Sequence, residues 1–189
     1  DKNVSNYVKF PSWIIKKIDA GIITRTNLSD LLRLSLLASY GGMWLDSTFY
    51  CVGSLDKSLY NGPIFSIKRP DYLHASVAGG MFAGYSLGCD DDHRRAFATI
   101  RDFFLEYWRR NDFMVDYLLV DYLTVLAQRH DPWIAEAFNE IQPNNPDCDE
   151  LFKILDQPYD EDMWKRLSAH TDLFKLTWKQ DFPVEHDGE

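Results

Sequence analysis

The sequence has 189 residues, of which 46% are hydrophobic and 26% charged, the balance of one folded domain and not of a disordered or fibrous chain. Twenty Lys and Arg against 29 Asp and Glu leave a net charge of −9, which argues against a nucleic-acid binder, since such proteins present a net basic face. No apolar run approaches the roughly 20 residues that cross a bilayer, and three scattered cysteines, Cys51, Cys89 and Cys148, fit neither a disulfide framework nor a zinc knuckle, so buried thiols in a reducing compartment are expected.

In chain order, Trp13, Ile14, Ile15 and Ile18 recur at helical spacing and predict a short amphipathic helix from Pro11 to Ile18, with Gly21 as its stop. The segment TNLSDLLRLSLLASYGG is the strongest helix signal: Asn27 or Ser29 can cap it, Asp30 suits its first turn and Gly41 its left-handed end. Leucines cover most of its circumference, so burial on more than one side is expected. MWLDSTFYCV then reads as a strand interrupted by Asp-Ser-Thr, and residues 63–69 and 75–88 as further strands. The second half reads as helical, with helices over 94–109, 114–129, 133–141 and 149–156, a turn at Asn144 to Pro146, and a last helix from Asp160. The tail from Asp172 has partial strand alternation and ends in a charged, mobile terminus. Strands with helices packed around them predict an α/β domain spanning residues 1–189.

Asp30 and Arg33 lie three apart and share a helix face. In isolation such a pair reads as a weak ion pair on a solvated edge; on an otherwise apolar helix it calls for a second explanation. Asp46 sits inside an apolar and aromatic strand, where a carboxylate is costly unless the strand ends there and faces a cavity. Thr48 projects to the same side if the extended geometry persists, and the two then offer the hard oxygen ligands that Mg or Mn accepts beside substrate phosphates. Asp116 and Asp121 are five apart, about 140° around a helix, so they do not form a paired-carboxylate site; one can face a cleft while the other caps or is solvated. The segment Gly79 to Gly88 reads equally as backbone made for close approach of a sugar or as a tightly packed strand. The five histidines show no ligand spacing, and Asp90, Asp91 and Asp92 read as acidic residues at a helix start.

The order Ser-Asp-x-x-Arg, then Tyr-Gly-Gly-x-Trp-x-Asp-x-Thr, followed by PIFSIKR, AGGMFAGYSLG, FFLEYWRRN, VDYLLVDYLTVLA, PNNPD, PYDEDMW and FKLTWK, resembles the capsular polysaccharide synthesis proteins along essentially the whole chain. These are similar in turn to glycosyltransferases with a DXD motif, among them initiating α-mannosyltransferases and clostridial glucosylating toxins. The resemblance implies a GT-A type fold and transfer of a sugar from a nucleotide-sugar donor, a UDP-sugar foremost, with retention of configuration. The acceptor it implies is an oligosaccharide or lipid-linked glycan, and the cofactor Mn or Mg.

By the same resemblance Asp30 and Arg33 bind the donor sugar, Trp44 is the aromatic residue ahead of the motif, and Asp46 is its first Asp, acting on donor and metal. Thr48 falls where the wider superfamily has its second, metal-ligating Asp, so metal affinity should be lower. Lys175, Thr177 and Trp178 match a loop that closes over the donor, and Asp121, with Tyr117 or Tyr122 near it, is placed toward the acceptor. Read without the family, the FKLTWK tail is an edge strand with one buried Trp. The resemblance also implies work in the cytoplasm, with room for peripheral association at the inner face of a membrane. Residues 1–28 show nothing like the family's first strands, so a GT-A domain lacking its N-terminal strands and part of its base-binding half is expected. Two other readings stay open: a non-catalytic carbohydrate-binding or scaffold protein on a degenerate transferase fold, and a plain α/β interaction module in which Asp30 and Arg33 pair only with each other.

Overall fold

The computed structural model describes residues 3–55, 62–69 and 77–179. The first helix, α1, runs Ser12–Asp19, starts after Pro11 and stops ahead of Gly21, whose φ of 72° suits glycine. It buries Ile14 completely. Lys17 on its last turn donates to the carbonyls of Trp108 and Asn111 and pairs with Asp112 at 2.7 Å, which ties α1 to the end of a later helix.

Helix α2, Arg25–Tyr40, begins earlier than expected because Thr24, not Asn27 or Ser29, is its cap, its side chain accepting from Asn27 N–H at 3.3 Å. Asn27 is itself buried. Leu31, Leu34 and Leu37 enter the core while Asp30 and Arg33 are buried on another part of the circumference, so the helix is covered on more than one side. Gly41, with φ of 64°, ends it as predicted.

The interrupted strand divides into two strands that join different sheets. Strand β1, Gly42–Leu45, pairs antiparallel with β4, Ser86–Cys89, from Gly42↔Cys89 to Leu45↔Ser86. Strand β2, Phe49–Cys51, pairs instead with β5, Leu173–Lys175, near the C-terminus. Strand β3, Ile64–Ser66, completes the first sheet in the order β1-β4-β3. The chain is thus mixed α/β, with antiparallel pairing in both sheets among the described residues. The strand expected over 75–88 contracts to its last residues; its start lies outside the described residues, Val77–Gly80 form turns, and Gly79 and Gly80 take positive φ. Ser66 holds the loop to the sheet, its Oγ accepting from Ala83 N–H at 2.8 Å and donating to Ser86 O at 2.8 Å.

Helix α3, Arg94–Arg110, packs along α2 and buries Phe97, Ile100, Phe104 and Trp108. Full burial of Phe97 and of Phe104 contributes about 1.5–3 kcal/mol each. Helix α4 is Leu119–His130, five residues shorter at its start than the apolar pattern suggests. Local side-chain bonds hold the preceding residues out of the helix: Tyr107 Oη donates to Phe113 O at 2.8 Å and accepts from Val115 N–H at 3.0 Å, and Asp116 accepts from Leu118 N–H at 2.7 Å. Helix α5, Pro132–Asn139, starts from its Asp131 cap. The Asn144–Pro146 turn places Asn145 at φ of 47°. The helix expected over 149–156 is a 3₁₀ turn at Leu151–Lys153 only, and α6, Glu161–Ser168, begins at the Asp160 cap as predicted. The charged terminus, residues 180–189, lies outside the described residues. Cys89 and Cys148 are buried free thiols, each pushed up to about 12 chiefly by that burial, whereas Cys51 is exposed, contrary to expectation.

Candidate functional site

The ends of β1 and β4, one face of α2, the first turn of α4 and the residues after β5 surround a cleft of about 1750 Å³. At its centre is Arg33. Its Nη2 lies 3.2 Å from Asp30 Oδ1, one helical turn away, and 3.5 Å from Asp46 Oδ1, and its Nη1 donates to the Gly84 carbonyl. The guanidinium stands 5.4 Å from the Trp44 ring centroid, and Trp44 Nε1 donates to Asp46 Oδ1 at 3.0 Å. Asp30 and Arg33 therefore do not pair only with each other, which removes the plain-module reading on its own terms.

Asp46 stands where β1 ends, as a carboxylate in an apolar strand must. Its N–H donates to Tyr85 O at 3.1 Å, and its carbonyl accepts from Phe49 N–H at 3.1 Å, closing a turn through Ser47 and Thr48. That turn corrects the expectation that Asp46 and Thr48 project side by side from one strand. Thr48 Oγ instead accepts from Lys175 Nζ.

Asp121, in the first turn of α4, is 7% exposed, and its Oδ1 lies over Gly84, where an added Cβ would come within 2.9 Å of it. Asp116 is not on the helix and caps the turn before it. Tyr117 lines the cleft together with Asp121; Tyr122 is not part of the lining. Burial pushes the Asp30 carboxyl up to about 7, against the pull of Arg33, with Asp121 and Asp46 adding to the rise. Burial also raises Asp121, to about 6, again opposed by Arg33. Both carboxyls are therefore held above the ordinary carboxylate range by burial, against the pull of the one guanidinium they share.

The residues after β5 form another wall. Lys175 faces the cleft, and Trp178, 80% exposed, stands on its rim. The tail is a strand, but its buried aromatic is Phe174, so the reading with a buried Trp178 does not hold. The cleft thereby gathers Asp30, Arg33, Trp44, Asp46, Thr48, Asp121, Lys175 and Trp178. The residue that sequence reasoning missed is Gly84, whose carbonyl and missing side chain fit Arg33 and Asp121 together. Its only signal was membership of the glycine-rich segment. Gly88 in the same segment is close-packed, with Gly42 O 2.9 Å from where its Cβ would be.

Asp46 and Thr48 offer a divalent ion few free oxygens. Asp46 Oδ1 is engaged by Trp44 and Arg33, Thr48 offers a neutral hydroxyl, and an ammonium already sits on that hydroxyl. No cluster of three or more His, Cys, Asp or Glu with metal-binding geometry occurs among the described residues.

A family model described as capsular polysaccharide synthesis protein matches residues 1–188. The chain belongs to that family. No curated protein and no solved structure matches it. Membership in the capsular polysaccharide synthesis family points to a biosynthetic role. Among the described residues no helix is long and apolar enough to cross a membrane.

Proposed function

We propose that this chain is a glycosyltransferase that moves a sugar from a nucleotide-sugar donor, a UDP-sugar foremost, to an oligosaccharide or lipid-linked glycan during capsule synthesis. The reaction proceeds with retention on a GT-A type fold, in the cytoplasm or at the inner face of the membrane. The observation that carries this reading is the convergence of Asp30, Arg33, Asp46 and Asp121 with Lys175 and Trp178 on one cleft. Carboxylates accept hydrogen bonds from sugar hydroxyls, and an arginine between them fixes their positions. In the reaction the bond from the anomeric carbon to the diphosphate oxygen breaks and the acceptor oxygen bonds to that carbon. Negative charge grows on the leaving diphosphate and positive charge on the ring. Asp46 and Asp30 border the ring. Asp121, with its raised basicity and no hydrogen bond from any described side chain, accepts the hydrogen bond of the acceptor hydroxyl.

The test is donor cleavage and transfer by the intact chain across UDP-sugars and GDP-sugars, with and without manganese. Cleavage of one donor class is expected, reduced about 100-fold or more in Asp46→Asn and Asp121→Asn. If no nucleotide sugar is bound or cleaved, the proposal fails. A second reading, a glycan-binding scaffold on a degenerate transferase fold, draws on Thr48, a hydroxyl where the superfamily carries its second carboxylate. Glycan binding without nucleotide binding would favour it.

A further inference from the structure

The pairing of Thr48 with Lys175 makes the turn after Asp46 chemically different from a cation site. Strand β5 sets Lys175 directly opposite Phe49, so the two side chains share a face of the small sheet. The backbone locks this register: Leu176 N–H donates to Thr48 O at 2.9 Å and Lys175 N–H to Cys148 O at 2.8 Å. The Lys175 ammonium lies 5.8 Å from the Phe49 ring centroid and 5.5 Å from that of Tyr85, donates to Thr48 Oγ, and reaches Leu176 O at 3.3 Å. Aromatic faces and neutral oxygens hold a cation without cancelling its charge.

Lys17, Lys153 and Lys165 each have a carboxylate at 2.7 Å. Lys175 has no such partner among the described residues, although it lines the same cleft as Asp30, Asp46 and Asp121. An ammonium carries three donors, and a threonine hydroxyl that accepts one of them keeps its own O–H to give. With two of its donors used, the ammonium keeps one N–H and the threonine its O–H, both on residues that line the cleft and both suited to an anion's oxygens.

We infer that Thr48 and Lys175 together form a phosphate-recognition site, in which the lysine ammonium is the cation that meets the donor diphosphate and no divalent ion is required for binding. Threonine in place of the second acidic residue is then a functional substitution: it turns a cation-binding turn into an anion-binding one. This rests on the transferase reading, and it assigns the electrostatic work at the leaving group to a side chain fixed by the β2–β5 sheet. A cation held by the protein needs no separate binding equilibrium before the donor arrives.

Calorimetric titration of the intact chain with UDP and with GDP, in EDTA and in manganese, tests it. One nucleoside diphosphate should bind in EDTA, with manganese changing its affinity less than about threefold. Lys175→Met should weaken that binding about 10- to 100-fold, the range for a hydrogen bond to a charged group, and Lys175→Arg should restore much of it. Thr48→Asp, which neutralises the ammonium without deleting it, should weaken metal-free binding and make manganese helpful. Thermal unfolding of each variant checks its fold; if Lys175→Met does not fold, Thr48→Asp carries the test. Wild-type binding that needs manganese, or a folded Lys175→Met or Thr48→Asp that binds as tightly as wild type in EDTA, overturns the inference and leaves the transferase reading standing. Absence of nucleotide binding under both conditions overturns both.

Discussion

Arg33 of α2 and Asp46 at the end of β1 stand 3.5 Å apart, Nη2 to Oδ1, and this contact fastens the long helix to the strand end that opens the cleft. The same guanidinium bonds Asp30 and the Gly84 carbonyl, so one planar fork spans helix, strand and loop. A lysine has the charge but not the fork. Arg33→Lys keeps the charge but cannot reach all three partners, and should therefore destabilise the chain by about 1–3 kcal/mol, the cost of leaving a buried polar group unsatisfied. Denaturant titration at pH 7 checks it; a loss below about 1 kcal/mol would show that the guanidinium geometry is dispensable.

The raised carboxyls give stability a pH dependence of definite sign. Between about pH 4, where an unfolded Asp releases its proton, and pH 7, folded Asp30 keeps its proton. Stability contributed by this group is full below that window and falls as pH rises through it, by up to about 1.4 kcal/mol per pH unit for one proton. Above pH 7 the burial penalty is fully present. Asp121 adds the same sign up to about pH 6. Asp90 and Asp131 act oppositely and lower down: burial is the largest single cause and raises them, but the hydrogen bonds and charges of His93 and Arg95 respectively, together with backbone N–H donors, outweigh it and hold them ionised, so their contribution is lost as pH falls below the ordinary carboxylate range. Asp30→Asn should gain stability relative to wild type between pH 5 and pH 8. Paired denaturation curves at those two pH values that show a constant difference would refute the buried-proton account.

Gly84 and Gly88 exclude side chains for different reasons and should respond differently. At Gly84 the obstacles are the ends of the Asp121 and Arg33 side chains, at 2.9 and 3.7 Å, with Val120 Cγ1 at 3.4 Å between them. Asp121 can turn away, so Gly84→Ala should cost about 1 kcal/mol or less in stability while lowering sugar transfer at least about tenfold, since a small misplacement of a positioned group is costly to rate. At Gly88 the obstacle is the Gly42 carbonyl at 2.9 Å, with Phe65 Cβ at 3.3 Å. Gly88→Ala should cost about 1–3 kcal/mol by overpacking the sheet. Melting temperatures read beside transfer rates separate the two, and equal stability losses would contradict the distinction.

Trp178 is 80% exposed on the cleft rim, so its side chain is not part of the packed core. Trp178→Ala should leave stability within about 0.5 kcal/mol of wild type. It should weaken donor binding up to about tenfold, the worth of one aromatic contact. Unchanged donor affinity would remove Trp178 from the site.

Much of this organisation was legible in the residues because it is set by near neighbours. Helical spacing of leucines and isoleucines marked α1 and α2, Gly21 and Gly41 marked their ends, and Asp160 marked the start of α6. Asp30 and Arg33 could be placed on one face by pitch alone, and Asp46 at a strand end by the cost of burying its charge. The start of α4 departs from the apolar pattern because Tyr107, a residue of α3, holds the segment that the pattern alone would make helical.

Residue order alone marks which side chains are candidates for chemistry; the packed chain decides which of them meet. Thr48 and Lys175 are 127 positions apart, and no local propensity speaks to their contact. Pairing of β2 with β5 brings them together, and packing of α4 against the Gly84 loop brings Asp121 to Arg33. Turns and caps follow from local sterics and hydrogen bonds, whereas the charge state of Asp30 and the freedom of the Lys175 ammonium depend on what the folded chain places around them and what water it excludes.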